Sequence, residues 1–414
     1  MSEIVERPET IDIPPTVPAE LLAEVAKADS DLVTVSAPKR YGPFVGRAEL
    51  MAFVRHALVF IAFAVVLLNL PAVLADPTRV RQFAEYLCYA MIALGIDIAW
   101  GHGNMLTLGQ GVFFGFGAYI MGMHLTLENT KGDGVPSFMS LYSDYKVLPW
   151  MWSPWKSLPV AVIGAILIPM LAAAAIGWPV FSRRIRGPFF ALLTQATALI
   201  FALLLVDQLP WTAGTNGLTS FTTVFGHSKY APDTPDFLYW LAVGGLLITL
   251  LIAWQLVHSR FGRLLLAVKD SEDRVRFLGY DPTVTKTVAF AVSAGMAGLA
   301  GALAAPIIGI VAPNMFTVLP SILMVCWVAV GGRGTLWGAI LGAVLVSWTK
   351  TTVSEHWPEQ WLYVQGLMFV VIVGFMPGGI AGLIKKGWAL LPFARQPGAA
   401  DPDAAPAPVV EVAA

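Results

Sequence analysis

The chain has 414 residues, of which 57% are hydrophobic and only 13% charged, with a net charge of −1 and a mean hydropathy of +0.69. Soluble domains carry about 25% charged residues, so too few charges are present to coat a water-facing surface of this size. The near-neutral balance gives no basis for a nucleic-acid partner or any strongly charged one.

Residues 1–46 hold Glu3, Glu6, Glu9, Asp12, Glu20, Glu24, Asp29 and Asp31 among several prolines. This composition predicts a disordered tail or at most a short surface helix. No apolar stretch precedes a cleavage site there, so the first apolar span is expected to direct insertion itself.

Apolar blocks follow at roughly 57–75, 84–100, 105–125, 158–180, 188–206, 238–257, 288–310, 318–331, 335–352 and 362–383. About 20 apolar residues in a helix cross the hydrocarbon core. Lipid offers the backbone no hydrogen-bond partner, so each block should be helical. The expected fold is therefore all-α: a polytopic membrane protein of about ten spans over 47–390. Residues 391–414, rich in Ala and Pro, form a second tail expected to be disordered.

The second and third spans are separated by little more than Gly101-His102-Gly103-Asn104, and glycines crowd 101–117. That pattern predicts a helix that is broken or very closely packed. Asp97 is read as the one acid inside a span, paired or near a membrane surface. His102 is read as structural. Gly111 and Gly115, Ala294 and Gly298, and Gly338 and Gly342 sit at spacings that let helix backbones approach. Cys88 and Cys326 lie within apolar stretches and read as small packing residues.

Arginines and lysines set the orientation. With ten spans, about 19 of the 26 basic residues fall on one side, in the first tail, the 183–186 turn, the 258–287 loop and the end of the chain. The positive-inside rule makes that side cytoplasmic, with both termini inside. The two long outer segments, roughly 126–157 and 207–237, could receive a partner protein. Trp150, Trp152 and Trp155 in the first suit a membrane-interface belt.

No signature of an enzyme appears. His-Glu-x-x-His, Cys-x-x-Cys and the Gly-Lys of a phosphate-binding loop are all absent from the sequence. No catalytic residue, metal ligand or cofactor site is expected. If ATP drives this protein, other subunits hydrolyse it.

The most informative segment is Phe261–Pro282. Asp270 or Ser271 can cap a short helix, and Glu272 and Asp273 suit the positive end of its dipole. Arg274 and Arg276 suit its later turns, while Val275, Phe277 and Leu278 make it partly apolar. Gly279 can end it in the left-handed conformation, and Asp281-Pro282 reads as the cap and first turn of the next helix. Such a helix suits mechanical coupling to an ATPase. A solvated basic loop obeying the positive-inside rule fits the same residues.

This loop resembles the ATPase-contacting loop of permeases in the branched-chain amino acid and urea importer family. There an acidic turn, a short helix, Leu-Gly, a Lys and a small-residue helix follow one another. The corresponding residues here are Asp270–Asp273, Leu278-Gly279, Lys286 and Ala289–Ala302. Gly103–Tyr119 and the Val-Ala-Val-Gly-Gly-Arg-Gly of Val328–Gly334 also resemble family motifs, so the likeness covers roughly 80–385. Within the family, Arg274–Tyr280, Val135–Met139 with Leu148-Pro149-Trp150, and Gly214–Thr219 look like the urea-type permease subunit. The chain departs from the family at His102 and Gln110, where Tyr and His are common.

The resemblance implies an importer permease bundle of type II-like architecture. It implies a homologous permease partner in a heterodimer, two ATP-binding-cassette ATPase subunits and an extracytoplasmic solute-binding protein, all working within membrane lipid. It implies contact with the ATPases through Asp270–Gly279. The alternatives are a permease for branched-chain amino acids or short-chain amides and, in a different class, a passive urea or amide channel; a scaffold without transport is a third.

Urea is neutral and rich in donors and acceptors, so its path is expected to offer amides, hydroxyls and backbone groups without a fixed charge. Polar groups within spans are costly and often functional. Asn104, Thr107, Gln110, Thr194 and Gln195 are the candidates, with Asn216 in the outer loop. Helix–helix hydrogen bonding for the first five and a turn role for Asn216 compete with that reading.

Overall fold

The computed structural model describes residues 47–383, apart from 75, 131–133, 143–146, 186, 220, 230, 358, 359, 376 and 377. The two expected tails lie outside these residues. The chain divides into two units, Met1–Phe63 and Ala64–Ala414. In the first, only the opening of helix α1 (Arg47–Leu74) is described.

Each of the ten predicted spans coincides with a helix. After α1 come α2 (Pro77–Ile96), α3 (Gln110–Asn129), α4 (Leu158–Ser182), α5 (Pro188–Asp207) and α6 (Thr234–His258). Two short helices follow, α7 (Arg260–Asp270) and α8 (Glu272–Phe277). Then come α9 (Pro282–Ile308), α10 (Val318–Gly331), α11 (Leu336–His356) and α12 (Trp361–Phe375). Among the described residues, six helical segments are long and apolar enough to cross a membrane: Pro77–His102, α4, α5, α6, α9 and α11. Phe60–Ala72 within α1 and α10 are shorter apolar helices. The fold is all-α and polytopic; a two-residue hairpin, Thr223–Val224 with His227–Ser228, is the small exception.

Local chemistry explains where the main helices begin. Asp76 accepts from the Thr78 amide at 2.9 Å, with Pro77 opening α2. Asp281 does the same for Thr283 at 2.8 Å, with Pro282 opening α9, as the sequence predicts. In both cases an aspartate satisfies an amide that the first turn leaves unpaired, and proline supplies a fixed φ where its missing N–H costs nothing.

The helix α9 is the centre of the bundle and packs against α2, α3, α4 and α6. Ala, Gly and Ser make up more than half of its buried residues, and most of the helix is buried. A Cβ at Gly298 would overlap the Ala165 carbonyl oxygen of α4, so only glycine allows this approach. The outer helices α4 and α5 instead expose Leu171, Phe189, Ile200 and Leu203, apolar residues suited to lipid contact.

Two interruptions matter for function. The end of α2 loosens into a π-helical turn, Asp97–His102, and 103–109 then runs without helix until Gln110. This is the break that the glycine-rich stretch predicts. From Gly309 to Thr317 the chain enters the bundle beside α3 with a single 3₁₀ turn, Pro313–Phe316; the Phe316 ring lies 5.8 Å from Phe116 and 5.6 Å from Tyr119. The helix α10 that follows has 14 residues, about 21 Å of rise against a hydrocarbon core of about 30 Å.

The tryptophan belt expected around 150–155 is only partly present. Trp150 is exposed, but Trp152 is buried and the Trp155 carbonyl accepts from His124 Nδ1 at 2.8 Å. The outer segment folds back onto α3 and α4, so its aromatic residues serve packing as well as exposure.

Candidate functional site

Arg260, Arg263, Lys269, Arg274, Arg276 and Lys286 gather at one end, where α6 gives way to α7, α8 and α9. Ser259 caps α7 by accepting from the Gly262 amide at 3.3 Å. Leu265 and Val268, three residues apart, turn inward and are buried. The sequence reading missed α7 as a separate element, although this spacing signals its buried face.

Between α7 and α8 the backbone is extended at Ser271 (φ −156, ψ 101). Asp270 ends α7. Ser271 holds the N-cap position that the sequence offers, with Glu272 and Asp273 in the first turn, but the capping bond itself is not made. Glu272 does more than face the helix dipole. It is buried, accepts from Lys286 Nζ of α9 at 2.8 Å, and also meets Arg276 at 3.4 Å. Val275 is buried beside it. Gly279 does adopt the left-handed conformation, at φ 85.

This arrangement fixes α8 to the base of the central helix and pushes the following turn outward. Phe277 is 92% exposed and Leu278 75%, and Tyr280 beside them is also exposed. Large apolar side chains standing this far from their own protein mark a contact surface for something else.

The same end is tied to α2. Lys269 Nζ donates to the Gly101 carbonyl at 2.8 Å, satisfying an acceptor that the loosening helix end leaves open. Asp97 Oδ1 accepts from the Gly334 amide at 2.6 Å, and its other oxygen lies 3.5 Å from His102 Nδ1. The Arg333 guanidinium stacks on Trp100 at 5.3 Å. So Asp97 is paired and sits at the basic end, as expected. A polar cavity of about 300 Å³ opens here, lined by Asn104, Lys269–Asp273 and Lys286 among others.

The six path candidates do not converge. Thr107, Gln110 and Thr194 come together around the broken segment. Thr194 Oγ1 accepts from the Leu108 amide at 3.1 Å, and Thr107 Oγ1 from the Gly109 amide at 3.4 Å. Gln110 donates to the Ser293 carbonyl at 3.1 Å and hydroxyl at 3.0 Å, while its own carbonyl oxygen is buried without a partner. These bonds replace the ladder that the helix break removes. Gln195 is half-buried one residue along α5. Asn104 is exposed, at φ 54, on the wall of the basic-end cavity. Asn216 is exposed in a 3₁₀ turn of the outer loop.

A second, larger hollow of about 550 Å³ was not anticipated. It opens between α2, the entering segment 309–317, α10, α11 and α12, and its walls carry Glu85 and Lys350. Asp97 is therefore not the one acid within a span: Glu85 lies inside Pro77–His102, and Lys350 lies inside Leu336–His356. A charge within a predicted span was the available signal for both.

Fold and sites together define a multi-pass membrane permease. The chain belongs to the family described as branched-chain amino acid transport system / permease component, which it matches over residues 81–373. It is 28% identical over 380 residues to the high-affinity branched-chain amino acid transport system permease protein LivM of Escherichia coli, covering 86% of this chain and 80% of that one. The LivM of Salmonella typhimurium is also 28% identical, over 72% of this chain and 69% of its own. The autoinducer 2 import system permease protein LsrC of Salmonella typhi is 32% identical over 34% of this chain and 44% of that protein. No solved structure matches.

Proposed function

We propose that this chain is the membrane-spanning permease subunit of an ATP-binding-cassette importer for urea, set in the cytoplasmic membrane of a bacterium with both termini inside. A homologous permease completes the pathway, two ATPase subunits dock at the basic end, and an extracytoplasmic binding protein delivers the solute. The observation that carries this reading is the turn after α8. A buried Glu272–Lys286 pair anchors α8 to the central helix while Phe277 and Leu278 stand free of the chain's own fold. A free-standing channel has no use for such a lever. The basic end is the cytoplasmic one by the positive-inside rule. Urea is favoured by the wording of Arg274–Tyr280 and of the outer segments.

A second reading is a branched-chain amino acid or short-chain amide as solute. The names of the LivM relatives and the opposite charges of Glu85 and Lys350 on one hollow favour it.

Uptake of labelled urea tests the proposal, in cells with and without the gene, at low external urea and with urease disabled. Gene-dependent accumulation above the outside concentration, lost on ATP depletion, is the expected result. Uptake that only equilibrates would indicate a channel. No gene-dependent difference would count against urea, and leucine and short amides then enter the same assay.

A further inference from the structure

We infer that the hollow between α2, α10 and α11 is a solute-contact site, in which Glu85 accepts N–H bonds from the solute and Lys350 donates to its carbonyl or carboxylate oxygen. This rests on the importer reading and adds to it the residues that meet the cargo and the chemistry they select. A volume of about 550 Å³ falls within the ordinary range for small-molecule sites, about 300–1,000 Å³.

Position argues first. Glu85 lies nine residues beyond the Asp76 cap and Lys350 six residues before the end of α11. At 1.5 Å per residue both are roughly 9–14 Å inside the helix ends opposite the basic end. Charges at such depth are expensive unless they face a partner or a watery path.

Pairing argues second. The same two helices make an ordinary ion pair nearer their ends, where Arg79 and Glu355 close to 3.2 Å. Glu85 and Lys350 form no such pair. Glu85 accepts a hydrogen bond from the Tyr89 hydroxyl, which leaves capacity on the carboxylate. Among the described residues nothing closes on the Lys350 ammonium. Opposite charges thus line one hollow without neutralising each other.

The remaining wall suits a small solute of mixed character. Trp327 stacks on Tyr89 at 4.7 Å and forms an apolar floor, and Gln365 and Asn314 add neutral polar groups. Urea fits with its amides toward Glu85 and its oxygen toward Lys350. An α-amino acid fits in the same sense, ammonium toward Glu85 and carboxylate toward Lys350.

The test uses the complete importer, with its ATPases, second permease and binding protein, and labelled urea and labelled leucine as probes. Losing a charge-assisted hydrogen bond to the solute should cost about tenfold or more in uptake. That loss is expected for Lys350→Met with either solute and for Glu85→Gln with leucine, whose ammonium loses its counter-charge; the glutamine still accepts from Tyr89, so folding is spared. Lys350→Gln separates the two solutes. A neutral donor should restore urea uptake to within about threefold, whereas an amino-acid carboxylate loses its counter-charge and uptake stays low. If the unaltered importer accumulates a probe and all three variants match it within about twofold, the assignment fails while the importer reading stands. If the variants no longer purify with the other subunits, the hollow is an assembly surface and the assignment is overturned. An unaltered importer that accumulates neither probe overturns the functional reading, and the assignment with it.

Discussion

The Glu272 carboxylate and the Lys286 ammonium meet at 2.8 Å with both residues buried, joining the short helix α8 to the first turns of α9. Removing one charge leaves the other stranded. Breaking a buried pair from one side costs about 3–5 kcal/mol, whereas replacing both partners with apolar groups of similar size is often neutral. Glu272→Leu alone should therefore lower the thermal midpoint in detergent, and Glu272→Leu with Lys286→Met should recover most of it. Equal losses in the single and double variants would show that the pair does not hold α8.

Phe277 and Leu278 touch almost nothing of their own chain, so replacing both with Ser should change stability by no more than about 0.5 kcal/mol. Recovery of the ATPase subunits on purified permease should fall sharply. Undiminished recovery would remove this turn from the proposed contact.

Gly279 sits at φ 85, where a proline cannot follow. Arg274→Glu combined with Gly279→Pro should abolish uptake while the protein remains inserted in the membrane. Normal uptake in that variant would count heavily against this loop as the transmission element.

Gln110 donates twice to Ser293 and braces the start of α3 against the central helix. Gln110→Leu leaves the buried Ser293 acceptors short, at about 1–3 kcal/mol. The expected outcome is a lower melting midpoint. If Gln110→Leu melts normally but uptake is lost, Gln110 belongs to the path rather than the frame.

The positions of the helices were legible because lipid enforces them. Apolar runs such as Leu238–Val257 have no alternative to helix in hydrocarbon, and Asp281-Pro282 announces a helix start by chemistry that needs no tertiary context. The break after Gly101 was legible from glycine content. The site was much less so. Glu272 looks like a helix-dipole partner in the sequence, because nothing local reveals that Lys286, fourteen residues on, folds back to it. Thr107, Gln110 and Thr194 read as candidates for a path, and the sequence does not say that Gln110 meets Ser293 or that Thr194 meets the Leu108 amide at the broken segment. Glu85 and Lys350 are 265 residues apart, and the sequence does not say that their helices share a wall.

The central helix has almost no freedom to bend. At Gly298 its backbone rests against the α4 backbone with no side chain between them, and small residues line most of its length. A column packed so closely moves as one rigid piece. Two stretches that lack α-helix, 103–109 and 309–317, lie toward opposite ends of the bundle, where a shift of such a column is most easily taken up. The first lies next to Gly101, whose carbonyl accepts from Lys269. The loop after α6 thus touches one of these stretches directly, while the other lies beside the hollow, with the length of the column between them.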